Sequence, residues 1–369
     1  MVLRPIVLPA RSTSATSLRP TVSMTPINRL HEVLILRRVR SRVDKGRWRE
    51  AIDTLARAAR RHPSPRLLEA LVNLRHEAFW GMNFPASGVR TWPRECPDLH
   101  SGHGVIPEIR PRELSVDQLC SGVLHHGSLI VRGLLPKDNV ESLRRCVDLA
   151  YDGHDRFAHG SNETSPAYRP FVPVEKEGVD TAIDRTWFRG SGAELAADSP
   201  IGLANLLESF DAVGLTRVIT EYLGESPALS VRKTSLRRVA HDQTETGWHQ
   251  DGAFLGTGIR TLNVWIALSD CGVDAPSMEM VPLRLNSIAP TGTPGALMGW
   301  TVSPTVVAEY CGDHLPVHLQ FKAGDAIFFD EMNLHRTSSR DHFTKPRYAI
   351  EAWFFAPSCY PLDQLPLLV

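Results

Sequence analysis

The feature that most restricts the fold of this chain is a change in hydrophobic period at Ala228. Beyond it, short β-type runs with alternating apolar and polar side chains are separated by turn residues. These runs cover residues 228–239, 247–254, 261–268, 277–281, 317–321, 326–330 and 347–355. Because the preceding half is rich in helical spacing, we predict an α+β protein whose core is a double-stranded β-helix, a cupin-like jelly roll with packing helices.

Apolar residues at helical spacing predict an α-helical N-terminal extension before this core. A basic, Leu/Val-rich segment at 28–42 comes first. We then expect two helices, over 44–61 and 66–80, that form an antiparallel hairpin, with Ser64 as the N-cap of the second helix and Pro65 at its first position. A helical cap packed on the main domain is favoured over a module that recruits a carrier or protein partner. The predicted boundaries are a disordered tail at 1–27, a helical extension and linker at 28–112, the jelly-roll domain at 113–358 and a C-terminal tail at 359–369.

Composition limits the kinds of partner that this chain can have. Its 369 residues carry 41 basic and 41 acidic side chains, so no overall field draws it to nucleic acid or to an anionic membrane. A small-molecule substrate is expected instead. The six cysteines are scattered and no apolar run reaches the length of a membrane span, which indicates a reducing, cytoplasmic location. The Arg-, Ser- and Thr-rich start is also typical of transit peptides, so a targeting segment stays open.

Two polar regions of the chain are candidates for contact with a substrate. Residues 153–198 lack sustained periodicity, and so long a loop predicts a lid over a pocket. Basic residues of this lid and of the strand before residue 247 could bind a carboxylate or phosphate, although such runs are more often solvated faces. They are Arg169, Lys176, Arg185, Arg189, Arg232, Lys233, Arg237 and Arg238.

A His-x-Asp pair lies in the stretch from Gly247 to Gly256. If this stretch is a β-strand, His249 and Asp251 point to the same face. Imidazole and carboxylate suit iron, manganese or zinc, and a second histidine would complete a facial triad with three open positions. Since the chain has fifteen histidines, the pair alone is also compatible with chance.

His335 is the best-placed second histidine. It follows the apolar run that begins at Ala326, just past a predicted strand, and Thr337 shares its face. Arg347 begins the last predicted strand, where its guanidinium suits a dicarboxylic ligand, although taken alone a rim salt bridge is favoured. Three further histidines are expected at the surface: His314, His318 and His342.

Three segments together carry a resemblance to a known family. They are the signature Trp248-His-Gln-Asp-Gly-Ala-Phe, the entry segment Gly127-Ser-Leu-Ile-Val-Arg-Gly-Leu-Leu and the strand Thr261-Leu-Asn-Val-Trp-Ile-Ala-Leu-Ser-Asp. With His335, Thr337 and Arg347 following in order, residues 107–357 resemble the phytanoyl-CoA dioxygenase-like family of non-haem Fe(II)/2-oxoglutarate oxygenases.

The resemblance implies a ligand set and a reaction. His249, Asp251 and His335 would bind Fe(II), Arg347 and Thr337 would hold the far carboxylate of 2-oxoglutarate, and Asn263 and Trp265 would line the pocket. The reaction would use dioxygen to hydroxylate, desaturate or cyclise at a C–H bond of a small or carrier-tethered metabolite, with succinate and CO2 as co-products. A halogenase of this fold needs a small residue at position 251, so Asp251 favours hydroxylation or a related desaturation or cyclisation over halogenation.

The sequence also departs from the family pattern in two places. The segment from Ser277 keeps only Pro282 of the usual Pro-Gly-Ser-His-like ending, and the spacing from His335 to Arg347 leaves Arg340 as a fallback anchor. Two other classes stay open: a cupin-like metal-dependent isomerase or hydrolase that does not use 2-oxoglutarate, and a non-catalytic binding protein.

Overall fold

A computed structural model describes residues 26–85, 91–102, 104–160, 165–242 and 246–369. Residues 1–25 of the predicted N-terminal tail lie outside the described residues. The helices are α1 (Pro26–Val43), α2 (Trp48–Arg61), α3 (Pro65–Gly81), α4 (Val116–His126), α5 (Lys137–Ala158), α6 (Arg185–Gly190), α7 (Pro200–Ala212), α8 (Leu215–Leu223), α9 (Gly252–Leu255) and α10 (Pro304–Cys311).

The strands follow the predicted change of period, with additional short strands. They are β1 (Glu108–Ile109), β2 (Ser128–Val131), β3 (Ala193–Leu195), β4 (Ala228–Ser230), β5 (Ser235–Val239), β6 (Thr261–Ala267), β7 (Ser277–Arg284), β8 (Val317–His318), β9 (Ala326–Phe329), β10 (Asn333–Ser338), β11 (Arg347–Phe355) and β12 (Pro366–Leu368).

These strands form two sheets, which confirms the predicted jelly-roll architecture. The larger sheet has the order β1-β2-β9-β6-β11-β4-β12, with β5 also paired to β11 and β3 paired to β5. The smaller sheet has the order β10-β7-β8. Strands β6 and β11 are antiparallel neighbours, with Ile266 opposite Ile350 and Trp265 opposite Glu351.

Side chains alternate between the two faces of the larger sheet, as expected for β-strands. Leu262, Val264 and Ile266 of β6 point outward and are buried with apolar residues of α4, α5, α7 and α8. The intervening Asn263 and Trp265 point inward, toward the space between the sheets. The outward-facing apolar residues of β6 therefore pack against the helices, while its inward-facing residues line the space between the sheets.

The helical extension packs on the main domain through α3. Ser64 caps this helix by accepting a hydrogen bond from the Leu67 amide at 3.3 Å, with Pro65 at the first position, as predicted. The Arg75 guanidinium donates to the Leu368 carbonyl at 2.5 Å, and a ring nitrogen of His76 lies 2.8 Å from the Pro366 carbonyl. Residues 359–369 include β12, which pairs with β4 in the large sheet, although the sequence predicted only a C-terminal tail.

None of the helices in the described ranges is long and apolar enough to cross a lipid bilayer. The predicted lid at 153–198 also contains regular structure: the end of α5, then α6 and β3. Of this region, residues 187, 188, 190 and 191 face the inner cavity.

Candidate active site

His249, Asp251 and His335 lie together at the inner face of the jelly roll. Each offers a ligand atom, and these atoms all lie within 4.8 Å of one another. Among the described residues this is the one cluster of three or more histidine, cysteine, aspartate or glutamate side chains with metal-ligand spacing. Two imidazoles and one carboxylate fit Fe(II) and leave three of its positions open.

Backbone pairing places the two histidines side by side. The His249 amide donates to the His335 carbonyl at 2.9 Å, and the His335 amide donates back to the His249 carbonyl at 3.0 Å. His335 lies within β10, opposite Met280 of β7, rather than just past a strand. The smaller sheet therefore carries one histidine and fixes the loop that carries the other.

Asp251 reaches the cluster from a helical turn and not from a strand. Trp248 and His249 form isolated bridges, but Asp251 has φ −64° and ψ −25° and precedes α9. The predicted strand over 247–254 is therefore wrong from Asp251 onward. The Gly252 amide donates to the Glu331 carbonyl at 2.9 Å, and this long-range bond turns the chain so that Asp251 faces the histidines.

The imidazoles are held with one nitrogen available to a metal. Nδ1 of His249 lies 3.0 Å from the Gly247 carbonyl, and Nδ1 of His335 lies 3.1 Å from the Asn333 carbonyl. Donation from Nδ1 to these carbonyls leaves Nε2 of each ring free to bind a metal. Burial, followed by repulsion from His335, lowers the pKa of His249 to about 4, and burial also lowers the pKa of His335. Both rings are thus neutral at physiological pH.

Asp251 is paired with a lysine on its side away from His335. The Lys233 ammonium donates to Oδ1 of Asp251 at 2.8 Å, while Oδ2 lies 3.8 Å from Nε2 of His335. Burial alone would raise the pKa of Asp251, but the charge and hydrogen bond of Lys233 together with the two histidines outweigh it and keep this pKa below its usual value. The carboxylate is therefore ionised, with one oxygen free for a metal.

Two further charges lie on the floor of the site. Glu351 of β11 accepts a hydrogen bond from Arg237 of β5 at 2.6 Å and lies 3.9 Å from the Lys233 ammonium. Burial would raise the pKa of Glu351, but Lys233 and Arg237 outweigh it and lower this pKa. Sequence reasoning found Lys233 and Arg237 only as members of a basic run, and it missed Glu351, whose place depends on strand pairing.

A cavity of about 740 Å³ opens above the cluster. Arg347 lines this cavity and is only 2% exposed. Its guanidinium donates a hydrogen bond to the Ser277 carbonyl at 3.0 Å, but its Nε has no hydrogen-bond partner among the described residues. The guanidinium lies 5.6 Å from the centre of the Trp265 ring. Burial, then repulsion from Arg237, lowers the pKa of Arg347 to about 10.

The other predicted cosubstrate residues also line this cavity. Thr337, Asn263 and Trp265 all face it, and Oδ1 of the buried Asn263 lacks a hydrogen-bond partner in the described ranges. Arg340, the fallback anchor, instead pairs with Glu279 at 2.6 Å and is not part of the cavity wall. The structure therefore favours Arg347 over Arg340 as the group that faces a ligand.

Most of the basic residues proposed for substrate contact have other partners. Arg185 pairs with Asp198, Arg189 with Glu194, and Arg169 with Glu69. Arg238 pairs with Asp148. Arg232, Lys233 and Arg237 also have acidic partners, but these three residues line the cavity.

Comparison with known proteins supports the family resemblance. The family model described as phytanoyl-CoA dioxygenase (PhyH) matches residues 124–341, which include the two histidines and the aspartate but not Arg347. A search of curated proteins gave no match.

Several solved structures are similar to this chain at low sequence identity. EctD from S. alaskensis with 2-oxoglutarate and 5-hydroxyectoine is 18% identical, covering 75% of this chain and 88% of that one, with a TM-score of 0.46. The epimerase SnoN in complex with Fe3+, alpha ketoglutarate and nogalamycin RO is 17% identical, with coverage of 63% and 79% and a TM-score of 0.40. AviO1 from Streptomyces viridochromogenes Tue57 is 18% identical, with coverage of 66% and 95% and a TM-score of 0.42.

A jelly roll with two histidines and one aspartate facing an inner cavity is the architecture of non-haem iron oxygenases. The family match covers more than half of the sequence, and the chain belongs to the phytanoyl-CoA dioxygenase family. It is accordingly an Fe(II)/2-oxoglutarate-dependent oxygenase that uses dioxygen.

Proposed function

We propose that this oxygenase hydroxylates a C–H bond of a small or carrier-tethered metabolite, with desaturation or cyclisation as variants of the same oxidation. His249, Asp251 and His335 hold Fe(II) in this proposal. Arg347 and Thr337 bind the far carboxylate of 2-oxoglutarate, and Asn263 and Trp265 shape its pocket. Succinate and CO2 are the co-products.

The observation that supports 2-oxoglutarate binding is the burial of Arg347 without a carboxylate partner. Its guanidinium is buried, yet no carboxylate of the described residues forms an ion pair with it, and its Nε is without a partner. A buried charge of this kind costs several kcal/mol unless it is paired. The planar fork matches a carboxylate, so a dicarboxylic cosubstrate bound to the metal at its other end would complete the pairing.

Bound iron would supply the oxidation of the substrate C–H bond, using dioxygen and 2-oxoglutarate. The protein's own groups would orient the ligands and shape the cavity. The backbone carbonyls at Gly247 and Asn333 hold the imidazole tautomers, and Lys233 holds Asp251 through the oxygen that points away from His335. A carboxylate at position 251 occupies the place that a halogenase would leave for halide, which supports hydroxylation, desaturation or cyclisation over halogenation.

Arg347 also separates this proposal from a metal-dependent isomerase or hydrolase. Such an enzyme could use the same three ligands, but it would have no need for a buried guanidinium facing the metal. The non-catalytic alternative is likewise disfavoured by family membership and by the compact ligand cluster.

The test is the release of succinate and CO2 from 2-oxoglutarate by the enzyme in air with Fe(II), first alone and then with candidate substrates. We expect turnover in the wild type, none in His249→Ala and at least about tenfold less at low 2-oxoglutarate in Arg347→Ala. Arg340→Ala is the matched control and should behave as the wild type. Unchanged turnover in Arg347→Ala would remove Arg347 from its role.

The type of oxidation is read from the product. Hydroxylation adds one oxygen atom that originates from isotopically labelled dioxygen, whereas desaturation or cyclisation removes two hydrogen atoms and retains no label. A labelled product would support hydroxylation, and an unlabelled, dehydrogenated product would replace it with one of the variants.

A further inference from the structure

The charges around the cavity are not balanced once the cofactor and cosubstrate are in place. Two basic residues at the cavity are already paired, Arg232 with Asp180 at 3.0 Å and Arg336 with Glu279 at 2.5 Å. Asp180 neutralises Arg232, while Glu279 is shared by Arg336 and Arg340. The positive charge left in the second group belongs to Arg340, whose side chain is 43% exposed and lies outside the cavity wall. These groups therefore add no net charge to the cavity wall itself.

Among the described residues, three cations remain on the cavity floor against two anions. Lys233, Arg237 and Arg347 carry positive charge, while Asp251 and Glu351 carry negative charge. Fe(II) and the dianion of 2-oxoglutarate cancel one another. One positive charge is left over in a buried site, where an uncompensated charge is costly.

The excess charge falls on Lys233. Arg237 is paired with Glu351 at 2.6 Å, and Arg347 takes the far carboxylate of the cosubstrate. The Lys233 ammonium makes one hydrogen bond in the described part of the chain, to the Asp251 carboxylate that a metal would share. An ammonium has three donors, so two remain for a ligand. The side chain lines the cavity and is 21% exposed, so a ligand can reach it.

Aromatic rings line the cavity, one of them beside this ammonium and another beside His249. The ammonium lies 4.8 Å from the ring centre of Phe254, and the Trp300 ring meets His249 edge-on at 5.4 Å. Trp187 lines the cavity from α6. These three rings are 44%, 37% and 60% exposed, respectively, although each is large and apolar. Exposed aromatic residues that converge on one cavity from separate segments are typical of a binding site for an apolar body.

We propose that the substrate is a monocarboxylate with a flat, apolar body, and that Lys233 binds its carboxylate while Phe254 and Trp300 hold the body. This inference rests on the proposed function, because the excess charge arises only with Fe(II) and 2-oxoglutarate bound. A single leftover charge favours a carboxylate over a phosphate monoester, which carries close to two charges at neutral pH.

The place of Lys233 also restricts which C–H bond is oxidised. Its ammonium is 2.8 Å from an oxygen of the metal-ligand carboxylate, so a substrate carboxylate bound to it lies beside the metal. The apolar body then extends past Phe254 and Trp300 toward the cavity mouth. The oxidised carbon is therefore close to the carboxylate along the substrate.

The experiment uses the full chain with Fe(II) and 2-oxoglutarate under nitrogen. The charge-transfer absorption band of the iron-bound cosubstrate is recorded first, and then 2-naphthoate, its neutral amide or 2-naphthyl phosphate is added. Binding is followed by tryptophan fluorescence and by the change in the band. We expect naphthoate to bind about tenfold or more tightly than the amide, because a charge-assisted hydrogen bond is gained, and more tightly than the phosphate.

Matched variants test which residues cause the preference for the acid over the amide. Lys233→Met should bring the acid and the amide to within about twofold, while Lys233→Arg should keep part of the preference. Lys137→Met, at an 86% exposed lysine of α5, should leave it unchanged. Trp300→Leu should weaken acid and amide alike and so retain their ratio.

The outcomes separate this inference from the proposed function. A missing charge-transfer band in the wild type would overturn the proposed function, and this inference with it, before any probe is added. A normal band with equal binding of acid and amide would overturn this inference alone, as would tighter binding of the phosphate. The comparison of acid, amide and phosphate is made in the wild type, so it tests the inference even if Lys233→Met does not fold.

Discussion

His249 and His335 are joined by a reciprocal pair of backbone hydrogen bonds, at 2.9 and 3.0 Å, and their ring centres lie 4.4 Å apart. The two residues are 86 positions apart in the sequence, so only the folded jelly roll brings them together. The bridge fixes both backbones, and the contacts of Nδ1 with the Gly247 and Asn333 carbonyls orient both rings. This arrangement would lower the entropic cost of binding a metal at the proposed site.

Replacing one of these histidines should abolish metal binding while leaving the fold intact. Loss of groups that merely orient a ligand costs about 10–100-fold in metal affinity, so loss of a ligand itself in His335→Ala should cost more than about 100-fold. Anaerobic titration with Fe(II) measures this affinity. His342→Ala, at an exposed histidine outside the cluster, is the control, and equal affinity in both variants would exclude His335 as a ligand.

Arg347→Met should separate cosubstrate binding from stability. Losing one partner of a buried, hydrogen-bonded charge pair costs about 2–5 kcal/mol, so 2-oxoglutarate should bind roughly 30-fold more weakly or worse. In the free protein the same change removes a buried charge that has no carboxylate partner in the described ranges. The free energy of unfolding should then rise by about 1 kcal/mol or more.

Isothermal titration of 2-oxoglutarate and urea unfolding of the free protein check these two effects. Arg340→Met should leave cosubstrate affinity unchanged, because Arg340 pairs with Glu279 away from the cavity. A variant at position 347 that was less stable, yet bound 2-oxoglutarate normally, would show that the arginine has a structural role only.

The sequence sufficed for the parts of this molecule that depend on local pattern. The alternation in β6 correctly separated Leu262, Val264 and Ile266 from the inward Asn263 and Trp265. The order of His249, Asp251 and His335 along the chain also identified the cluster that the fold assembles. Hydrophobic periodicity and the order of motifs are properties of the sequence itself, so both could be predicted without knowledge of the fold.

Features that depend on long-range contacts could not be predicted in this way. The turn at Asp251 is set by a hydrogen bond from Gly252 to Glu331, 79 residues later, so the alternation around it wrongly indicated a strand. Strand β12 is only three residues long and acquires its identity by pairing with β4. Glu351 gained its role through its neighbours Lys233 and Arg237, which no local pattern relates to it.

Gly252→Ala should move Asp251 without touching its side chain. A Cβ at this position would lie 2.6 Å from Cδ1 of Ile288 and 3.0 Å from the Glu331 carbonyl oxygen. The side chain of Ile288 can move aside, but the backbone at Glu331 is fixed, so the turn has to shift. We expect about 1–3 kcal/mol lower stability and a metal affinity reduced by about 10–100-fold.

Metal titration and urea unfolding of Gly252→Ala test this expectation. Ala253→Ser changes the adjacent, exposed residue and should leave both quantities as in the wild type. Wild-type metal affinity in Gly252→Ala would show that the turn tolerates the methyl group, and the close packing at Gly252 would then have no part in placing Asp251.

Glu331, whose backbone carbonyl accepts the hydrogen bond from Gly252, should lower the free energy of unfolding as the pH rises. Burial, then the charge of Asp330, raises the pKa of Glu331 to about 8 from an ordinary value of 4.5, and its Oε2 has no hydrogen-bond partner among the described residues. The folded state therefore keeps a proton that the unfolded state has lost. The stability that Glu331 contributes is fully present below pH 4.5 and is lost as the pH rises through 8.

Glu331→Gln keeps the shape of this side chain but cannot ionise, so it should remove the decline. The variant should match the wild type below pH 4.5 and exceed its free energy of unfolding by up to about 5 kcal/mol above pH 8. Urea unfolding of the metal-free protein at pH 5 and pH 8.5 measures the difference. Glu309→Gln, at an exposed position of α10, should leave stability nearly unchanged at both pH values. If the gain in Glu331→Gln were the same at both pH values, the carboxyl group would already be ionised in the folded protein at pH 5.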